Sequence, residues 1–140
     1  MKTTKQQRVE HANALILVIS RHGRRFFYNA AADRTAYLEL DHRGRVWFID
    51  DYRGSRIYTH PTGFTSRWRG FSHGGTLRSL VESMRDYIVT GKRMDRWRIA
   101  TERSFTNGDI WGYGKEAAQA VRTEAFALPI MESAEEPVAA

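Results

Sequence analysis

Residues 35–59 read TAYLELDHRGRVWFIDDYRGSRIYT, and the same connector occurs twice within them, as Asp41-His42-Arg43-Gly44 and Asp51-Tyr52-Arg53-Gly54. Around the connectors lie short runs rich in branched and aromatic residues, which read with the period of two of a strand. Each Asp-x-Arg-Gly suits a type I turn closed by a glycine with positive φ, so Gly44 and Gly54 are both expected in the left-handed region. The stretch therefore predicts strands over residues 35–40, 45–50 and 55–59 in a tight antiparallel meander. If both loops hold three residues, Asp41 pairs with Arg45 and Asp51 with Ser55. One face then carries Leu38, Leu40, Val46, Phe48 and Tyr58, and this is the expected core face. The other carries Tyr37, Glu39, Arg45, Trp47, Ile49 and Ile57.

Upstream, residues 25–29 read as the first of four strands, joined to the meander by the small polar loop at residues 30–34. Before them, residues 4–22 predict a helix. Thr4 and Gln7 form a capping box, and Val9, Ala12, Ile16 and Ile19 make a stripe widened by Leu15 and Val18. Arg21 and His22 fall in its last turn, ahead of Gly23. Downstream, residues 71–91 contain the clearest helical stripe of the chain: Leu77, Leu80, Val81, Met84 and Ile88. Thr76 suits its cap, Gly91 its end, and Arg78–Glu82 is an i,i+4 pair. Residues 96–100 alternate like an edge strand, and residues 115–127 predict a last helix with Ala117, Ala118, Val121 and Ala125 inward, stopped by Pro129. The fold expected is α+β: a four-stranded antiparallel meander with helices packed on one face. A single domain over residues 1–131 is expected, followed by a disordered acidic tail at residues 132–140.

The chain has 140 residues, with apolar content of 41%, 22 Lys and Arg against 16 Asp and Glu, and a net charge of +6. Glu132, Glu135 and Glu136 lie in the tail, so the body sets 22 basic residues against 13 acidic ones and carries +9. Such a body attracts nucleic acid, acidic proteins or an anionic surface. Eighteen of the basic residues are Arg, which suits bidentate recognition of phosphate or carboxylate and also follows from GC-rich codon usage. With no Cys, disulfides, thiolate zinc sites and Cys nucleophiles are excluded. The longest apolar run, residues 14–19, is far short of a bilayer span, and the N-terminus makes a poor signal peptide. No membrane partner is expected, and a cytoplasmic location is.

The chemical suggestion of the chain sits at the entry to the second long helix. Gly74 and Gly75 leave backbone N–H groups free to face an anion, while Arg67, Arg69 and His73 are within reach and Thr76 follows. Arg also interleaves with aromatics at Arg24-Arg25-Phe26-Phe27-Tyr28, Arg67-Trp68-Arg69 and Arg96-Trp97-Arg98. Arg can hold phosphates while aromatic rings stack on bases, which suits single strands. Strands that alternate an inward aromatic with an outward charge account for Arg96-Trp97-Arg98 without any ligand. The expected function is non-catalytic binding of a polyanion, nucleic acid first, with Arg24, Arg25 and Trp68 flanking the anion seat. A second reading is a protein-interaction module using Tyr37, Trp47, Ile49 and Ile57. No metal site or cofactor is expected. The five His residues lack ligand spacing, and no Walker loop, dinucleotide fingerprint or Ser-His-Asp arrangement appears.

Two resemblances add to this. LVISRHGRR (residues 17–25) and SHGGTLR (residues 72–78) resemble the Arg-His-Gly and second-His segments of histidine phosphatases. That resemblance implies His22 as nucleophile, Arg21 as phosphate clamp and His73 as its partner. The meander between the two segments departs from that family, whose first motif ends a parallel strand in a helix-covered sheet. The segments GRVWFIDDYRGSRIYTH (residues 44–60) and WRGFSHGGTLRSLVESMRDYI (residues 68–88) resemble uncharacterised small proteins carried by phages and integrative mobile elements. This second resemblance implies an accessory or host-interaction role and supplies no catalytic residue.

Overall fold

Helix α1 (Lys5–His22) is the element on which the rest is assembled. In the computed structural model, residues 3–22, 27–60, 75–94 and 115–131 are described. The Thr4 hydroxyl accepts the Gln7 N–H at 3.0 Å while the Gln7 side chain accepts the Thr4 N–H at 2.8 Å, the reciprocal box expected from the sequence. The buried residues of α1 are Val9, Ala12, Leu15, Ile16, Val18 and Ile19, the widened stripe as read. It packs against α2 (Gly75–Thr90), α3 (Lys115–Ala125) and strand β3 (Tyr37–Leu40). From α2 come Leu80, Val81, Met84, Tyr87 and Ile88, and from α3 come Val121 and Ala125. Met94 and Ile130 close the same cluster and are joined through a backbone bond of 3.0 Å.

The sheet is antiparallel, in the order β3, β4 (Val46–Ile49), β5 (Arg56–Tyr58). Among the described residues, three helices and antiparallel strands make the α+β class expected. The strand read over residues 35–40 is divided at Ala36. Its first part, β2 (Arg34–Thr35), pairs back onto β1 (Tyr28–Asn29), and its second part, β3, pairs forward onto β4. The meander is thus a three-stranded sheet joined to a hairpin whose strands have two residues each. Phe27 explains where the hairpin starts. Its φ is +71°, its ring is fully buried, and it meets Phe48 edge-on at 6.0 Å. Burial of a large ring offsets a backbone conformation that bulky residues avoid.

Gly44 and Gly54 have φ of +76° and +72°, as both turns require. The two loops nevertheless differ by one residue. In the first, Asp41 pairs with Arg45, as expected. In the second, Asp50 N–H donates to the Ser55 carbonyl at 3.0 Å, so Asp50 and not Asp51 pairs with Ser55. That loop holds four residues, and the faces of β5 exchange relative to the sequence reading. Ile57 stands opposite Phe48 and is 1% exposed in the core, while Tyr58 stands opposite Trp47 on the outer face. Asp50 makes the longer loop by accepting three N–H groups on one carboxylate oxygen: Arg53, Gly54 and Ser55, at 2.8, 2.8 and 3.2 Å. The core face is therefore Leu38, Leu40, Val46, Phe48 and Ile57.

Candidate functional site

The face of the sheet turned away from the helices carries Tyr37, Glu39, Trp47, Ile49, Arg56 and Tyr58, with Arg45 and Asp41 at the first turn. Its centre is a chain of side chains running across β4 and β5. Arg56 lies over the Trp47 ring at 4.2 Å from its centroid, and Trp47 and Tyr58 rings are 5.0 Å apart. Arg45 lies over Tyr58 at 5.9 Å and donates to its hydroxyl oxygen at 2.6 Å. Arg56 also pairs with Glu39 at 2.9 Å. Guanidinium groups stack on aromatic faces and stay solvated at their edges, so alternation of the two is stable on an open sheet.

Asp41 fixes this chain in place. One of its oxygens accepts the Arg43 and Arg45 backbone N–H groups at 2.9 Å each, and the other accepts the indole N–H of Trp47 at 2.9 Å. The Trp47 bond, followed by the Arg45 amide, holds the carboxyl at about 2, below its usual range. At the far side, His60 Nε2 accepts the Val46 N–H at 3.1 Å and its ring stands 5.2 Å from Tyr58. An accepting Nε2 places the ring proton on Nδ1 and makes the imidazole neutral. Burial, then the charges of Arg85 and Arg45, push its pKa below the ordinary value. Beside the first turn lies a shallow hollow of about 370 Å³, lined by Asp41, His42, Arg43, Arg45, Trp47 and Tyr58.

Of the residues singled out for a protein-binding face, Tyr37 is 44% exposed and Trp47 is half-buried on the outer face. Ile49 is on that face but buried, and Ile57 belongs to the core because of the longer second loop. Arg24, Arg25, Arg67, Trp68, Arg69, His73 and Gly74 lie outside the described residues, as does the strand read over residues 96–100. Gly75 and Thr76 belong to the first turn of α2, so Thr76 lies inside the helix rather than at its cap. Arg43, Arg45, Arg56 and Tyr58 were not among the expected nucleic-acid residues. Arg45-x-Trp47 is an Arg-x-aromatic alternation within one strand, and only the cross-strand pairing reveals its partners.

The Arg-His pair resembling a phosphatase motif ends α1 and faces α3. His22 Nε2 donates to Glu124 at 2.6 Å, and Arg21 donates to the other oxygen of the same carboxylate. Both side chains are thus engaged in a contact between helices. Among the described residues no group of His, Asp and Glu side chains is placed to hold a metal ion. Among the same residues no helix is long and apolar enough to cross a membrane.

Residues 2–139 match the model of the YoqU family. The chain belongs to the YoqU family. A relative from Bacillus subtilis (strain 168), described as the SPbeta prophage-derived uncharacterized protein YoqU, is 33% identical over 131 residues. The match covers 94% of this chain and 88% of that protein. The expected kinship with uncharacterised proteins of phages and mobile elements is therefore borne out. No solved structure matches this YoqU-family chain.

Proposed function

We propose that this YoqU-family protein is a non-catalytic binding module for a polyanion, single-stranded nucleic acid first, acting in the cytoplasm. The observation that carries the reading is the single outer-face array Arg45–Tyr58–Trp47–Arg56. Aromatic rings offer stacking to any base, and Arg residues placed between them meet phosphates on the same strand. The excess positive charge of the body supplies long-range attraction. The Gly74-Gly75 entry to α2, with Arg67, Arg69 and His73, stays in the proposal as a second anion seat on sequence grounds. Arg24, Arg25 and Trp68 likewise remain its proposed flanks.

Fluorescence anisotropy with an unstructured oligonucleotide at several salt concentrations tests this. Binding is expected at low salt and falls as salt rises. The double change Arg45→Ala with Arg56→Ala should flatten the log–log salt slope by about 0.7 for each phosphate no longer neutralised. Arg67→Ala with Arg69→Ala should do the same at the second seat. Absence of binding by the unaltered protein at low salt overturns the reading. An accessory module that binds a host protein, suited to the prophage setting of the relative, then takes first place. The exposed Tyr37, opposite Ile49 and on the same face as Trp47, is the observation favouring that second reading.

A further inference from the structure

The outer face is not uniform, and the differences along it locate where a ligand makes its closest contact. At the β5 side Arg56 is neutralised by Glu39. At the first turn the Arg43 guanidinium has no hydrogen bond or ion pair among the described residues. Arg45 spends Nη1 on the Tyr58 hydroxyl oxygen, which leaves its remaining N–H groups and the Tyr58 O–H proton to give. Asp41, the acid of this corner, has both oxygens engaged by Arg43 N, Arg45 N and Trp47 Nε1. It orders the turn and the indole rather than competing for the two guanidinium groups. The hollow between these groups has the size of a small-ligand site, about 370 Å³, and two aromatic residues in its wall. A planar apolar ring and an adjacent anion are the two features such a wall accepts.

We infer that this hollow is a subsite for one nucleotide, its base against Tyr58 and the edge of Trp47 and its phosphate between Arg43 and Arg45. The inference rests on the polyanion-binding reading of the same face and names the unit that the face contacts most closely. Asp41 is a positioning residue here, because it touches the turn amides and the indole that receive the ligand.

The test is an NMR titration of the full chain with adenosine 5′-monophosphate, and separately with adenosine and with inorganic phosphate. The Trp47 indole resonance is assigned by its loss in Trp47→Phe. The nucleotide should move that resonance and the amides of Arg43 and Arg45 in a saturating way, and each half-ligand should bind more weakly. Arg43→Ala and Tyr58→Ala, both changes at residues outside the core, should each weaken the nucleotide about tenfold, the size of one charge-assisted or stacking contact. Inorganic phosphate alone matching the nucleotide overturns the inference and leaves a simple anion site. Unmoved turn resonances with oligonucleotide binding intact overturn the subsite and spare the proposed function. Absence of both nucleotide and oligonucleotide binding in the unaltered protein overturns both. Undiminished nucleotide affinity in Arg43→Ala and Tyr58→Ala also overturns the inference.

Discussion

Asn13 on α1 and Leu38 on β3 exchange two hydrogen bonds, from Leu38 N–H to Asn13 Oδ1 at 2.7 Å and from Asn13 Nδ2 to the Leu38 carbonyl at 2.9 Å. One side-chain amide thus does for β3 what the peptide of a neighbouring strand would do. It satisfies both backbone groups of a residue that is 1% exposed, and it occupies an edge that would otherwise template pairing. Asn13→Ala leaves both groups without partners and should cost about 1–3 kcal/mol. Asn13→Asp keeps an acceptor but sets a carboxylate against the Leu38 carbonyl, so it should also destabilise. Urea midpoints read both, and an unchanged midpoint in Asn13→Ala would show that the edge does not depend on the amide.

The two turn glycines give a backbone test. At Gly44 and Gly54 the left-handed conformation costs an L side chain about 1–2 kcal/mol. Gly44→Val and Gly54→Val should each lower the thermal midpoint, and Asn at either position should lower it less, because Asn tolerates positive φ. Equal effects of Val and Asn would mean that the destabilisation comes from crowding rather than from backbone strain.

Ile57 and Tyr58 separate stability from binding. Ile57→Ala empties a fully buried site and should cost about 2–5 kcal/mol. Tyr58→Ala removes a half-buried outer ring, so its larger effect should be on oligonucleotide affinity. Denaturant midpoints and anisotropy on both variants check the order. Reversal of the stability order would restore the three-residue second loop.

His60 makes stability depend on pH. Its folded-state pKa lies below the ordinary 6.5, so near neutral pH and below the unfolded chain binds the proton more readily than the folded one. The contribution is present above pH 6.5 and is lost as pH falls from there toward the folded-state value. Protonation would remove the acceptor from the buried Val46 N–H and place a cation beside Arg85 and Arg45. The nearby acids Asp41 and Asp86 act in the opposite sense and are outweighed. Denaturation midpoints at pH 7.5 and 5.5 should differ less in His60→Gln than in the unaltered protein. An equal difference in both would remove His60 from the account.

The contact of His22 with Glu124 predicts a modest structural role. Glu124→Gln weakens a partly exposed ion pair with Arg21 and a hydrogen bond with His22 at once and should cost about 1 kcal/mol or less. His22→Ala should leave any phosphatase activity at background. Trapping a phosphohistidine at His22 with a phosphate-ester substrate would overturn the binding-module reading and favour phosphoryl transfer.

Much of this architecture is written in short-range patterns. The apolar stripe of α1, the Thr4–Gln7 box, the stripe of α2 ending at Gly91 and the positive φ of Gly44 and Gly54 all follow from residues within about four positions of one another, because helix and turn rules act at that range. The sequence by itself therefore determined the helices, the turn glycines and the α+β class. Other choices were locally balanced. Asp50 and Asp51 are adjacent acids, and either can accept the amides of a turn. Burial of Ile57 against Phe48, with Tyr58 left beside Trp47, decided between registers that differ by one residue. Likewise, nothing near Ala36 says that the strand divides there; the burial of Phe27 and the amide of Asn13 on the β3 edge do. Glu124 meets His22 across 102 residues of chain, a distance over which no periodicity carries information. Where local preferences are equal, hydrophobic burial and the need to pair every buried polar group decide, and both exist only once the tertiary structure has formed.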